Sequence, residues 1–259
     1  MKKAVDTVLA QTCTDFELIV VDDGSTDGTE PLVRAYGDPR IRYVYQNNRG
    51  PAGARNRGIA EARGEFVAFL DSDDWWLEEK LKRAADFIRE FPDIHVFHTE
   101  EVWYRRGRLL PQKDRHRKPD GLVYEKALPL CCISISTAVV RKTVLEEVGG
   151  FDETLPACED YDLWLRVTHR YPVKLIPEAL TEKEGGRPDE LSVRVWGLDR
   201  FRIRALAKML ESGVCSRRSY AATFRELEKK CRIFAQGAEK RGRTEEAAEY
   251  LNLIKRYVR

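Results

Sequence analysis

Two short apolar runs lead directly into clusters of carboxylates: residues 16–27 read FELIVVDDGSTD, and residues 65–76 read EFVAFLDSDDWW. A strand with one wet face alternates apolar and polar residues, whereas a strand covered on both faces reads as an unbroken apolar run. Segments of helical spacing separate these runs. The pattern predicts helices over 4–11, 29–36, 54–62 and 77–91, with strands over 17–21, 42–45 and 66–70. Further on, 94–103 and 134–140 read as strands, 160–170 as a helix and 173–176 as a short strand. Such alternation predicts an α/β fold with a mixed, mostly parallel sheet flanked by helices. In sheets of this kind ligands collect beyond the carboxyl ends of the strands. Both acid clusters fall there, and carboxylates beside a core call for a cationic partner.

A chain of 259 residues holds one large domain, or a core with an appendage. The character changes near residue 197. From there on, 199–210, 219–240 and 244–257 read as helices, and 16 Lys/Arg face 8 Asp/Glu. We therefore divide the chain into a layered domain over 1–196 and a basic helical extension over 197–259. The whole-chain net charge is only +2, which makes no case for nucleic acid. No apolar stretch approaches the roughly 18–20 residues that span a bilayer, and the first residues lack the apolar segment of a secretion signal. The 6 cysteines show no C-x-x-C spacing, so neither a zinc site nor a disulfide framework is expected, and reduced thiols in a cytoplasmic protein are. A polar loop, RRGRLLPQKDRHRKP, holds seven Lys/Arg against one Asp over 105–119. It reads first as a solvated loop, and second as a lure for an anionic partner or the inner face of a membrane.

Each motif also has a plain structural reading. Asp71, Ser72 and Asp73 form a D-x-D element at a strand end, the arrangement a hard divalent cation asks for. Helix capping is the ordinary alternative; it accounts for one carboxylate, Asp74, before the helix at 77–91. Asp22 and Asp23 open a polar turn with Gly24, which either simply turns the chain or lets a carboxylate accept from a base N–H. The glycine-spaced segment 50–58 runs into a helix, where backbone N–H groups and Arg55 make an anion site or merely a surface loop. Glu159 and Asp160 open the helix at 160–170. They complement its dipole, and Asp160, on the face of Leu163 and Trp164, is placed for the partial burial that suits a general base.

Taken in order, QTCTDFELIVVDDGSTDGT, NNRGPAGARNRGIAEARGEFVAFLDSDDWW and GGFDETLPACEDYDLWLR resemble the family 2 glycosyltransferases of GT-A (Rossmann-like) fold over roughly 1–185. HTEEVW, LPLCCIS and GGRPDELS resemble a bacterial subgroup of that family. The resemblance implies an inverting, metal-dependent transfer of a sugar from a nucleoside diphosphate sugar to a glycan or lipid-linked hydroxyl, with UDP the family's usual carrier. It implies that Asp23, or Asp22 beside it, contacts the base, and that Arg55 supports the base or phosphates. It further implies that Asp73 binds Mn²⁺ or Mg²⁺ directly, that Asp71 completes the pair nearer the ribose, and that Asp160, with Glu159 beside it, is the catalytic base. Members usually open with a central strand and a P-x-Y-N turn, whereas this sequence opens inside the helix that follows. Losing that strand would expose two sheet edges, so either the start is misassigned, or the chain fills the gap differently, or the enzyme is impaired. A non-catalytic nucleotide-binding or scaffold protein derived from the family is the alternative expectation. A phosphoryl-transfer enzyme is disfavoured, because VVDDGST lacks the D-x-D-x-T spacing.

Overall fold

The computed structural model describes residues 1–111, 117–186 and 194–258. The first acid-tipped run forms β1 (Leu18–Asp23), paired in parallel with β2 (Ile41–Gln46) from Leu18↔Ile41 to Asp23↔Gln46. Helix α1 (Lys2–Leu9) precedes them, α2 (Thr29–Arg34) joins them and α3 (Gly50–Glu61) follows. These two strands form a sheet of their own. Among the described residues no strand bridges β1 to the second acid-tipped strand, β3 (Phe66–Ala68).

The larger sheet holds β3, β4 (Asp74–Trp76), β5 (Val96–Arg105), β6 (Arg108–Leu110), β7 (Ala138–Arg141) and β8 (Lys174–Gly185), in the order β3-β7-β5-β8-β4 with β6 on β5. Helices α4 (Lys80–Glu90), α5 (Tyr124–Ala127), α6 (Lys142–Glu147) and α7 (Glu159–Arg170) connect or cover these strands. The mixed α/β architecture holds, with both directions of pairing in it. Parallel pairing is confined to β1–β2 and β5–β8; β3–β7, β5–β7, β5–β6 and β4–β8 are antiparallel. Burial on both faces produces the same apolar run whichever way the neighbour points, so the run alone does not set direction.

Strand β8 outlasts its prediction, running for 12 residues where the sequence pattern promised a short strand. Pro177 looks like its end, because proline cannot donate to a ladder. The ladder instead slips around it: Thr99 faces Ile176 and Glu100 faces Ala179, leaving Pro177 and Glu178 in a bulge. Beyond the bulge β8 continues to Lys183, opposite Asp74 of β4. Helix α3 starts at Gly50, earlier than its spacing indicated, with Pro51 in the first turn where its missing N–H costs nothing.

Helix α7 is buried on two sides. Leu163, Trp164 and Val167 join Val96, Val140 and Leu145 beneath the sheet, while Tyr161 and Leu165 face the C-terminal helices α8 (Asp199–Glu211), α9 (Arg217–Glu239) and α10 (Thr244–Lys255). There they meet Ile203, Leu206, Leu227 and Ile254 in one apolar cluster. Burying each Leu or Ile contributes about 1.5–3 kcal/mol. Lys208 of α8 adds a polar fastening, 2.8 Å from both Asp152 and the fully buried Asp162. Arg166 closes on Asp162 from the other side at 2.6 Å. Burial opposes ionisation of Asp152, yet Lys208 and Thr154 outweigh it and hold the acid below the usual carboxylate range. No helix among the described residues is long and apolar enough to cross a membrane.

Candidate active site

The two acids at the tip of β1 divide their roles. Asp22 is buried, accepting from the Ser25 amide at 2.8 Å and from the Tyr43 hydroxyl at 2.6 Å. Burial pushes this carboxyl up, but the bonds from Tyr43 and Ser25 win and hold it below its ordinary value. Gly24, at φ +79°, completes the turn; a Cβ there would lie 2.9 Å from the Asn48 amide nitrogen. Asp22 thus serves the turn. Asp23 accepts through Oδ1 from Gln46 Nε2 at 2.7 Å and from the Arg49 amide at 2.8 Å, which ties it to the start of α3.

Helix α3 is clamped to the G-G-F-D-E turn ahead of α7. Asn56 Nδ2 donates to the Phe151 carbonyl at 2.9 Å, and its Oδ1 accepts from the Phe151 amide at 2.8 Å. Arg49 reaches Glu153 at 2.6 Å. The turn approaches closely because position 150 is glycine: φ is +65°, and a Cβ would sit 2.6 Å from Asn56 Oδ1. Clamped in this way, α3 aims Arg55 between two motifs far apart in sequence. Its guanidinium donates to Asp71 Oδ1 at 2.8 Å and to Glu159 Oε1 at 2.5 Å. Burial disfavours ionisation of Asp71, but Arg55 and Lys183 outweigh it and lower the carboxyl. Glu159 is shifted the other way. Burial, and then the charge of Asp160, raise it above its ordinary value against the pull of Arg55.

Asp160 is half-buried beside it. Its Oδ1 accepts from the Tyr161 amide at 2.7 Å, and its Oδ2 from the Cys131 thiol at 3.3 Å. Burial and the nearby Asp160 push Cys131 well up, so its thiol keeps the proton it donates. Asp71 and Asp73 in the loop after β3 and Asp74 at the start of β4 gather together, each with a carboxylate oxygen within 4.8 Å of the others. A divalent cation takes one or two protein carboxylates and completes its shell with water and phosphate, so this donor set fits one. Asp74, read from sequence as a helix cap, is not one: α4 begins at Lys80, and Asp74 lies buried in β4 against Lys183 and Ser136.

Sequence reading missed several members of this neighbourhood. Ser136 sits in a 3₁₀ turn, and Lys183 lies beyond the bulge in β8, where no local signal marks either. Lys118 belongs to the loop read as solvated, yet it is buried and pairs with Glu101 at 2.7 Å; Ser134 donates to the same oxygen at 2.8 Å. Part of that loop, 112–116, and most of the GGRPDELS segment lie outside the described residues.

Comparison with known proteins follows the same outline. An uncharacterized glycosyltransferase of Rickettsia conorii is 33% identical over 184 residues, 67% of this chain but 30% of that protein. The Escherichia coli UDP-Glc:alpha-D-GlcNAc-diphosphoundecaprenol beta-1,3-glucosyltransferase WfaP is 32% identical over 171 residues, covering 63% of this chain and 62% of that one. The chain therefore spans only part of the length of these relatives. In three dimensions, Staphylococcus aureus TarS 1–349, crystallised with UDP-GlcNAc, superposes with a TM-score of 0.76 at 22% identity, covering 98% of this chain and 75% of TarS. The family description Glycosyl transferase family 2 matches residues 1–149, the stretch that carries the β1 turn, Arg55 and the D-S-D loop, and the chain belongs to that family.

Proposed function

We propose that this chain is an inverting, metal-dependent glycosyltransferase that moves a sugar from a nucleoside diphosphate sugar to an acceptor hydroxyl. The observation that carries the reading is the Arg55 bridge, which puts the D-S-D loop and Glu159, the neighbour of Asp160, on one guanidinium. Donor and base chemistry thereby share one place within 1–196, with the helices of 197–259 packed against it. Asp71 and Asp73 would hold the cation, Mn²⁺ or Mg²⁺, which when bound would supply charge stabilisation to the departing diphosphate. Asp23, with one oxygen directed to Gln46 and Arg49, offers the other to the base of the nucleotide. Asp160 takes the acceptor proton as the acceptor oxygen bonds the anomeric carbon and the bond to the diphosphate breaks, with Cys131 and the Tyr161 amide fixing the carboxylate. A single displacement inverts the centre.

A UDP-sugar is the first donor to test, because the E. coli relative is named for UDP-Glc and the TarS crystal holds UDP-GlcNAc. A glycan or lipid-linked acceptor of cell-envelope type matches the same relative, and the basic segments suit peripheral contact with an anionic membrane face. Thermal unfolding with UDP, GDP, CDP and dTDP, each with and without Mn²⁺, tests the site. A nucleotide at about 100 times its Kd stabilises by roughly 2.7 kcal/mol. One nucleotide should raise Tm by roughly 5–10 °C, and only with the metal. No shift with any pair rejects the donor site.

A further inference from the structure

Three acids cluster in the D-S-D-D run, but their surroundings differ. Asp74 is the buried one, and its Oδ2 lies 2.6 Å from Ser136 Oγ and 2.7 Å from Lys183 Nζ. Ser136 Oγ donates to Asp74 and accepts from the Asp71 amide at 3.1 Å, so one hydroxyl grips the loop at both ends. The loop closes on itself where the Asp74 amide donates to the Asp71 carbonyl at 3.1 Å. Ser136 is itself fixed. Its carbonyl accepts from Trp76 Nε1 at 2.7 Å and from Thr181 Oγ1 at 3.3 Å. Lys183 is held in ladder register with Asp74 and lies over the Trp103 ring at 5.2 Å.

We propose that Asp74 is excluded from the cation's ligand set and instead anchors the D-S-D loop through Ser136 and Lys183, which act as positioning residues. This rests on the metal reading proposed above. Asp71 carries one cationic donor, Arg55 on Oδ1, whereas the more buried Asp74 has both the Ser136 hydroxyl and the Lys183 ammonium on Oδ2, and that ammonium repels a divalent cation approaching the same oxygen. With Asp74 fastened from below, the short turn it closes presents Asp71 and Asp73 in a fixed relation. Partners that orient ligands in this way commonly control metal affinity by about 10–100-fold.

The test reads Mn²⁺ uptake in the presence of UDP by electron paramagnetic resonance, independently of turnover, with Tm and near-UV circular dichroism of the free protein as folding controls. Asp74→Asn keeps an oxygen for Ser136 and Lys183, so its Mn²⁺ affinity should stay within about threefold of wild type. Asp73→Asn should lose uptake. Ser136→Ala should weaken uptake by about tenfold or more, with Ser136→Thr restoring it, and Lys183→Arg should keep more affinity than Lys183→Met. Should Ser136→Ala or Lys183→Met fail to fold, Asp74→Asn against Asp73→Asn decides alone. If Asp74→Asn loses Mn²⁺ as Asp73→Asn does, Asp74 is a ligand and the anchor is wrong, while the metal site stands. If wild type takes up no Mn²⁺ with UDP, the metal reading fails and takes the anchor with it.

Discussion

Arg55 shows how far a single residue reaches here. From sequence it was an arginine in a glycine-spaced helix start, equally suited to phosphate or solvent; in the structure both arms of its fork are occupied by Asp71 and Glu159. Spacing gave no hint of this, because the two partners lie 16 and 104 residues away. The carboxylates themselves were legible, since acids at strand ends stand out against apolar runs. Their donors, Ser136, Lys183 and Cys131, were not, because a serine, a lysine and a cysteine carry no local pattern that marks a long-range contact. Removing the cation leaves two poorly solvated acids without their shared partner. Arg55→Met should therefore cost about 3 kcal/mol of stability in urea unfolding near neutral pH. A change under about 0.5 kcal/mol, the scale of an ordinary surface substitution, would show that the bridge holds nothing.

At the scale of elements, periodicity located the longer helices but not the short α5 and α6, and most strands but not β4 and β6, and it failed where tertiary contacts override it. Pro177 hid the far half of β8 because the bulge that tolerates it is supplied by β5. The orientation of β7 was invisible for the reason given by its burial, with Ala138, Val139 and Val140 all inside. Strand β5 carries a pH-sensitive element of its own. His98 is fully buried, with Nε2 at 2.8 Å from the Pro119 carbonyl. Burial, and then Lys118, push its imidazole down to about 3, with Lys80 adding to them and Pro119 and Asp120 opposing. Below pH 6.5, the ordinary His value, the unfolded chain binds a proton that the native chain refuses, so stability present above 6.5 drains away as pH falls toward 3. The slope is about 1.4 kcal/mol per pH unit. Asp74 opposes this. Burial raises it to about 6, so between 3.8 and 6 it favours the native state as pH falls. Subtracting the unfolding profile of His98→Gln from that of wild type cancels the carboxylates and isolates the histidine. The difference should grow steadily from pH 6.5 to 4.5; parallel profiles would mean that His98 is solvated.

On the scale of the whole molecule, composition separated a basic helical segment from the layered domain, but charge counting says nothing about how the two meet. They meet through a common apolar cluster and through Lys208, which reaches back to Asp152 and Asp162. A fragment ending at residue 196 would uncover Tyr161, Leu165 and Tyr124 and strand the Asp162 carboxylate with Arg166 alone. It should aggregate or unfold without a cooperative transition. A soluble fragment melting like the full chain would show instead that the helices are an independent attachment. The wider account, in which one site holds donor and base together, is tested most directly by comparing Asp73→Asn with Asp160→Asn. Each is measured for Mn²⁺-dependent UDP binding by calorimetry and for release of UDP from a UDP-sugar. We expect Asp73→Asn to lose both, and Asp160→Asn to bind within about threefold of wild type while release falls by about 10²–10⁴-fold. Wild-type release from Asp160→Asn, or undiminished metal-dependent binding by Asp73→Asn, would contradict it.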